Sequence, residues 1–311
     1  MKIRRREFIR QSLAGVGGLM AGSNLLRGAE EKPKHFEPFE TVTLGQTKLK
    51  VPLVGFGTGF NGWLRSSNQK RLGAEKLTAL IRGAYERGVR LFDMADLYGT
   101  HPYLIPALKE IPRKKFKIVS KIWWNKGGIP EKERPDPGVV VQRFLKELKT
   151  DYIDLVLLHC VTSKDWPKEL ETQMNIMSKL KKKGIIRAHG VSCHSVDALQ
   201  ACVEERWVDS VHARINPSGV KMDDMPEKVV PILKQVHQKG KGVVGMKIVA
   251  AGTYAKSPTK RARSIDFVLN LGCVDTMIVG FEKVDQIDDF TAMVAKTERR
   301  NPAVHKHKKT A

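Results

Sequence analysis

Residues 86–99 read ERGVRLFDMADLYG, and this stretch decides how the rest of the chain is arranged. Val89, Leu91 and Phe92 make a short apolar run that ends in Asp93, with Tyr98 and Gly99 close behind. Such a run reads as a buried strand. A carboxylate at a strand end, with a tyrosine in the loop behind it, is a pairing suited to chemistry. The carboxylate holds a lysine, and an ammonium beside a phenol favours the phenolate, lowering the phenol pKa from about 10. A phenol tuned in this way protonates a carbonyl oxygen. The reading therefore asks the remaining sequence for a lysine and a cofactor site.

Outward from this stretch, strand and helix patterns alternate. Thr41–Lys50 alternates and breaks at Gly45, as a hairpin does. Strands are expected at Val51–Phe56, Leu91–Asp93, Lys117–Lys121, Ile153–His159, Ile186–Ser192, Ser210–Arg214, Val243–Ile248 and Thr276–Gly280. Between them, helical spacing appears at Ala74–Arg87, Tyr103–Glu110, Val139–Leu148, Leu170–Lys182, Val196–Glu204, Pro226–Gln238, Lys260–Asn270 and Val284–Ala295. In the fourth of these strand–helix units the residues 153–159, IDLVLLH, are almost continuously apolar, as strands covered on both faces are. Eight strand–helix units over roughly 250 residues predict an α/β fold, a (β/α)8 TIM barrel with an N-terminal β-hairpin. An open doubly wound sheet would need a GxGxxG turn that starts a helix after its first strand. Residues 54–59, VGFGTG, supply glycines but no such helix start.

In a barrel, functional side chains gather at the C-terminal ends of the strands. Asp93 ends the second strand and Tyr98 lies in its loop. Lys121 ends the third, and His159 ends the fourth. Each alone has a structural explanation, as a cap, a packing residue, a solvated end or a buried core histidine. Four such residues on three successive strand ends of one barrel point to a site.

These motifs, in order, resemble the aldo-keto reductase family: VPLVGFGTG (51–59), RLFDMADLYG (90–99), the lysine of VSKIW (119–123), the histidine of LLH (157–159) and GIIRAHGVS (184–192). The resemblance runs from about Thr41 to Ala295. It implies the barrel fold and a reversible hydride transfer between NAD(P)H and a carbonyl or alcohol. It also implies that Tyr98 is the general acid, that Lys121 and Asp93 lower its pKa, and that His159 orients the carbonyl. By the same resemblance, Gly57 and Thr58 lie near the nicotinamide and Ser192 binds its carboxamide. The chain departs from the family's pattern in several places. Cys193 stands where asparagine is usual, followed by His194. His212 stands on the sixth strand in place of glutamine, with Asn216 nearby. Met246 takes the place of a stacking tyrosine, and Lys247 after it is either a phosphate ligand or a solvated strand end. Around the eighth strand, residues 279–289 read VGFEKVDQIDD and put Gly280, Phe281 and Gln286 at the cofactor positions, with Glu282 and Lys283 beside them. Glu282 favours a free ribose hydroxyl and Lys283 a 2′-phosphate. The expected cofactor is NADP, with NAD the alternative.

The chain carries a formal net charge of +22 over 311 residues. Its basic residues are spread along the sequence and lack interleaved aromatics, so nucleic acid is not an expected partner. Four cysteines without CxxC spacing give no metal or iron–sulfur signature. Residues 1–26, MKIRRREFIRQSLAGVGGLMAGSNLL, open with a basic head and continue into a weak, glycine-rich apolar run too short for a stable membrane span. Arg5-Arg6-Glu7-Phe8-Ile9-Arg10 resembles the twin-arginine (Tat) export signal, which implies passage through the Tat machinery, already folded, to the periplasm or cell envelope. The large Arg27 next to Gly28 and Ala29 departs from the usual cleavage pattern. The expected organisation is a signal segment (1–29), a polar linker (30–40), the barrel (41–297) and a basic tail (298–311). Two readings follow. One is an exported reductase or dehydrogenase acting on a small carbonyl or sugar-like substrate; the other is a barrel that binds a nicotinamide nucleotide without turnover. The aromatic-bearing loops 60–73, 123–136 and 160–168, with Trp63, Trp123, Trp124 and Trp166, would set the substrate. Nothing in the sequence fixes the oligomeric state.

Overall fold

A computed structural model describes residues 34–300; the signal segment, the first residues of the linker and the tail beyond Arg300 lie outside the described residues. Strands β1 (Thr41–Thr43) and β2 (Lys50–Pro52) form an antiparallel hairpin. Eight parallel strands then close into a barrel: β3 (Val54–Gly57), β4 (Leu91–Asp93), β5 (Lys117–Ile122), β6 (Ile153–Val161), β7 (Ile186–Cys193), β8 (Ser210–Arg214), β9 (Gly242–Met246) and β10 (Thr276–Val279), with β10 pairing back onto β3. The helices on the outside are α1 (Asn68–Arg71), α2 (Ala74–Glu86), α3 (His101–Leu108), α4 (Pro137–Leu148), α5 (Trp166–Glu169), α6 (Glu171–Lys182), α7 (Val196–Ala201), α8 (Pro226–Gln238), α9 (Pro258–Asn270) and α10 (Val284–Ala295). No described helix is long and apolar enough to cross a membrane.

The expected first strand, Val51–Phe56, divides in two. Pro52 has no N–H to give a ladder, so the chain leaves the hairpin there and re-enters as β3 at Val54. Leu53 marks the join, its carbonyl accepting from the Met277 amide at 2.8 Å. The smaller shifts at helix ends have local causes. Asp136 caps α4 through the Gly138 and Val139 amides, with Pro137 at its first position, so α4 starts two residues before the apolar spacing does.

Two-residue alternation sorts each strand between an inner and an outer core. Leu91, Val119, Leu155, Leu157, Ala188, Val244 and Ile278 fill the barrel interior. Their neighbours Phe92, Ile118, Val156, Leu158, Val191 and Met277 face the helices. Leu44, Leu49 and Val51 from the hairpin pack onto the inner cluster, and the Gln46 amide donates to the Gly240 carbonyl just before β9. The hairpin is thus a floor across the N-terminal end of the barrel. Each of these fully buried aliphatic side chains contributes roughly 1.5–3 kcal/mol, and together they leave the C-terminal end as the open mouth.

The expected linker and tail both contribute to the folded body. Phe36 is buried, and its amide donates to the Thr297 carbonyl at 3.2 Å. The Arg299 amide donates to the Lys34 carbonyl at 2.8 Å, and the Arg299 guanidinium pairs with Glu40 and lies 4.1 Å from the Phe36 ring centre. Two aromatics, Phe36 and Phe39, in an otherwise polar stretch are what bind it to the barrel.

Candidate active site

The inner parity that places Leu91, Val119 and Leu157 continues two residues further to Asp93, Lys121 and His159, so these three point inward at the mouth. Lys121 Nζ donates to Asp93 Oδ1 at 2.5 Å and to the Met94 carbonyl at 3.0 Å. It lies 5.0 Å from the centre of the Tyr98 ring. The Tyr98 hydroxyl is 3.4 Å from His159 Nε2. His212, from β8, puts Nε2 3.0 Å from the other carboxylate oxygen, Asp93 Oδ2. Asp93, Lys121, His159 and His212 are all buried, and Tyr98 is half-buried at their edge.

Burial sets the electrostatics. On its own it would raise the Asp93 carboxyl, but Lys121 and His212 overcome it and hold the group below the usual carboxylate value. Burial also lowers Lys121 from its ordinary value, against the pull of Asp93. His159 falls well below an ordinary histidine, through burial first and then the nearby Lys121 ammonium. The phenol runs against the sequence expectation. Burial, followed by the negative charge of Asp93, raises Tyr98 well above 10. Lys121 is held on Asp93, which weakens its pull on the phenol without removing it, and burial decides the direction. At neutral pH the hydroxyl is therefore a protonated donor beside a neutral imidazole, with a carboxylate–ammonium pair beneath it.

Two glycines that the sequence reading passed over seat the tyrosine. A Cβ on Gly59 would lie 2.2 Å from Tyr98 Cε2 and Cζ, and one on Gly62 would lie 2.4 Å from Cδ1. Neither glycine has a positive φ, so the constraint is the closeness of the ring alone. Gly59→Ala should displace the ring and lower turnover by at least about tenfold, a 1 Å misplacement being worth up to 10²-fold. Thermal unfolding should change little beside that loss, and turnover within twofold of the parent would show that the slot does not position Tyr98.

A cavity of about 540 Å³ opens beside Asp93 and Tyr98 and runs past the ends of β3, β9 and β10 to the first turn of α10. Among the expected cofactor residues, Gly57, Met246, Lys247, Gly280 and Gln286 line it. Lys247 is half-buried, has a φ of 62°, and its ammonium has no partner among the described residues. An unpaired cation in a cavity wall fits an anionic group such as a nucleotide phosphate. Four expected residues lie off this wall. Thr58 donates its hydroxyl to the Asp93 carbonyl at 3.0 Å. Ser192 Oγ accepts from the Cys160 amide at 2.9 Å, below the mouth. Cys193 has the outward parity of its strand, and its sulfur lies 3.6 Å from Cys202 in the outer core. Lys283 is exposed, at the N-cap of α10. The far end of the cavity carries Glu282, Asp285 and Asp289, with Arg261 2.8 Å from Asp289.

A second cluster borders the catalytic residues. Arg214 donates to His194 Nδ1 at 2.5 Å and to Asp223 at 2.9 Å, and His194 Nε2 lies 3.4 Å from Cys160 Sγ. Burial and then Arg214 push His194 down to about 3, while burial pushes the Cys160 thiol up to about 12. This cysteine is a neutral thiol. The inward parity of β8 was the available signal for Arg214. Of the tryptophans, Trp63 and Trp123 pack edge to face at 5.5 Å, and Trp123 in turn borders His159 at 5.6 Å. Trp166 is fully buried, its indole N–H on the Ala198 carbonyl, so it is packing between α5 and α7. Among the described residues no group of His, Cys, Asp or Glu is placed to hold a metal ion.

Residues 53–276 match the sequence profile of the Aldo/keto reductase family. The chain belongs to that family. It is 26% identical over 170 residues to methylglyoxal reductase DkgB of Salmonella typhimurium, covering 52% of this chain and 55% of that one. The curated relatives matched first are thus spanned over only 55–58% of their own length. A structure from Pseudomonas aeruginosa described as an aldo-keto reductase superposes with a TM-score of 0.69 at 25% identity, over 85% of this chain and 97% of that one. An aldo/keto reductase from Klebsiella pneumoniae, solved with NADP and acetate, superposes with a TM-score of 0.60 at 20% identity, over 84% of this chain and 91% of that one. The closed eight-stranded barrel is the fold these aldo-keto reductases share.

Proposed function

We propose that this aldo-keto reductase interconverts a small carbonyl compound and its alcohol, using a nicotinamide dinucleotide. The observation that carries the reading is the set Asp93, Lys121, Tyr98 and His159, assembled at one end of a cavity long enough for an extended ligand. When bound, the reduced nicotinamide supplies a hydride. The chain's own residues do the rest. The carbonyl carbon takes the hydride, negative charge builds on its oxygen, and the Tyr98 hydroxyl stands where it can give that oxygen a proton. A raised phenol pKa keeps the donor loaded, and an alkoxide is still the stronger base. Lys121 beneath the ring then stabilises the phenolate left behind. His159, neutral with Nε2 toward the hydroxyl, orients the carbonyl oxygen.

Gly57, Met246, Lys247, Gly280 and Gln286 would hold the nucleotide. NADP is the form present in the Klebsiella structure, and we take it as the cofactor here. Trp63 and Trp123 beside His159 suit stacking on a flat or sugar-like carbonyl. The arginine pair at the N-terminus supports export in the folded state, with nucleotide already in place, to the periplasm or cell envelope. Outside the cytoplasm one substrate would reduce the bound nucleotide and another would reoxidise it.

The test is to purify the protein gently from its native compartment without added cofactor, denature it, and assay the supernatant for NADP and NAD. Close to one equivalent of NADP is the expected result. Empty protein that also binds neither nucleotide on titration would overturn the reductase reading.

A further inference from the structure

We infer that His212 is a positioning residue of this site, holding the second oxygen of the Asp93 carboxylate so that the first stays fixed on Lys121. The inference rests on the reductase reading for its catalytic meaning, but its geometry stands on its own. Asp93 Oδ1 takes the Lys121 ammonium at 2.5 Å, and Oδ2 takes His212 Nε2 at 3.0 Å. The imidazole is fully buried, on the inward parity of β8, and opposite Ser192 of β7 in the strand register.

Its tautomer follows from its contacts. Nδ1 is buried and has no hydrogen-bond partner among the described residues. A proton there would be a buried donor with nowhere to go, and would leave two lone pairs, those of Nε2 and Oδ2, facing each other. The proton therefore sits on Nε2 and is donated to the carboxylate. The charged groups facing the ring are Asp93 from β4 and Lys121 from β5, and His159 of β6 is the third titratable neighbour. Burial lowers His212 below the ordinary histidine value in spite of Asp93. The ring thus gives Asp93 a hydrogen bond without giving it a positive charge, and Lys121 remains the single cation opposite the carboxylate. An apolar side chain would fill the same space and leave Oδ2 a buried acceptor with no donor.

The resulting arrangement has four members. His212 fixes Asp93, Asp93 fixes Lys121, and Lys121 stands under Tyr98. The sequence pattern of the family puts glutamine at this place, and an amide can make the same donation. Leucine cannot, and asparagine is too short to reach.

The experiment follows the Asp93 carboxyl directly. Isotope-edited infrared titration, with Asp93→Asn used to assign the band, would be run on the parent protein and on His212→Leu, His212→Asn and His212→Gln. In the parent, Asp93 should remain ionised to below pH 3.8. In His212→Leu its midpoint should rise by about one unit or more, as loss of a donor to a buried carboxylate requires, and His212→Gln should recover most of the shift. His212→Asn gives the same comparison should His212→Leu not fold. The acid limb of kcat should move with the carboxyl while KM changes little. Equal Asp93 midpoints in the parent and in the folded leucine or asparagine variant would overturn the inference, as would a glutamine variant no better than these. A parent protein with no turnover whose Asp93 midpoint still moves on substitution would remove the reductase reading and leave the hold of His212 on Asp93 in place.

Discussion

Tyr98→Phe is expected to lower kcat for carbonyl reduction by about 10³-fold and to leave nucleotide affinity within about twofold of the parent. The hydroxyl's hydrogen-bond partner in the structure is His159, and the ring is gripped by Gly59 and Gly62, so phenylalanine fits the same slot. What disappears is the proton donor, and positioned general acids contribute ~10²–10⁴-fold. His159 cannot take over as an acid at neutral pH, because burial and Lys121 keep it neutral. Single-turnover hydride transfer measures the first quantity and titration of nucleotide fluorescence the second. Turnover within tenfold of the parent would take Tyr98 out of the acid role. A parent protein that binds nucleotide tightly and turns nothing over would be the binding barrel instead.

Lys121→Met is expected to abolish turnover and to destabilise the fold by about 3–5 kcal/mol, the cost of leaving a buried carboxylate without its cation. Asp93 and Lys121 are both nearly inaccessible to water. Replacing the two together, Asp93→Leu with Lys121→Met, should recover most of the stability and none of the activity. The pH dependence separates this from simple loss of packing. In the parent the folded Asp93 value lies below 3.8, so its contribution is present above pH 3.8 and is lost as the pH falls through the folded value. In Lys121→Met burial prevails and raises the carboxyl, so the deficit is largest at neutral pH and shrinks as acid protonates Asp93. Urea unfolding at several pH values would show it. A deficit that is constant with pH would mean that the pair does not act as a charge pair.

Much of this was legible before any coordinates. Strand ends located Asp93, Lys121 and His159, because a barrel gathers functional side chains at the C-terminal ends of its strands; the inward parity they share with Leu91, Val119 and Leu157 appears with the structure. β4, β8, α8 and α10 fall on the expected bounds residue for residue, with Pro226 opening α8. The same parity also held information that motif matching hides. Cys193 follows Ser192, so it must face outward, into the contact with Cys202. The direction of the Tyr98 shift was not legible. It depends on how deeply the phenol is buried and on Lys121 already being paired, and both are properties of the packed site. Gly59 and Gly62 were equally silent, because a missing side chain has meaning only once the ring that occupies its place is known. The split at Pro52 was readable from the proline alone, but a continuous apolar run masked it.

The clasp between Lys34–Glu40 and Glu298–Arg300 has a further bearing. Pro38 accepts from the Val54 amide at the very start of β3, and Arg300 meets Asn270 at the trailing end of α9, so the chain enters and departs at the floored pole of the barrel. The described residues therefore begin and end on the pole away from the mouth. Tethering the body at Lys34 or Arg300 would leave its entrance facing the solution. Lys34 and Arg299 are hydrogen-bonded, so a short bridge joining residues 34 and 300, with new termini cut elsewhere, should return a folded circular permutant of residues 34–300.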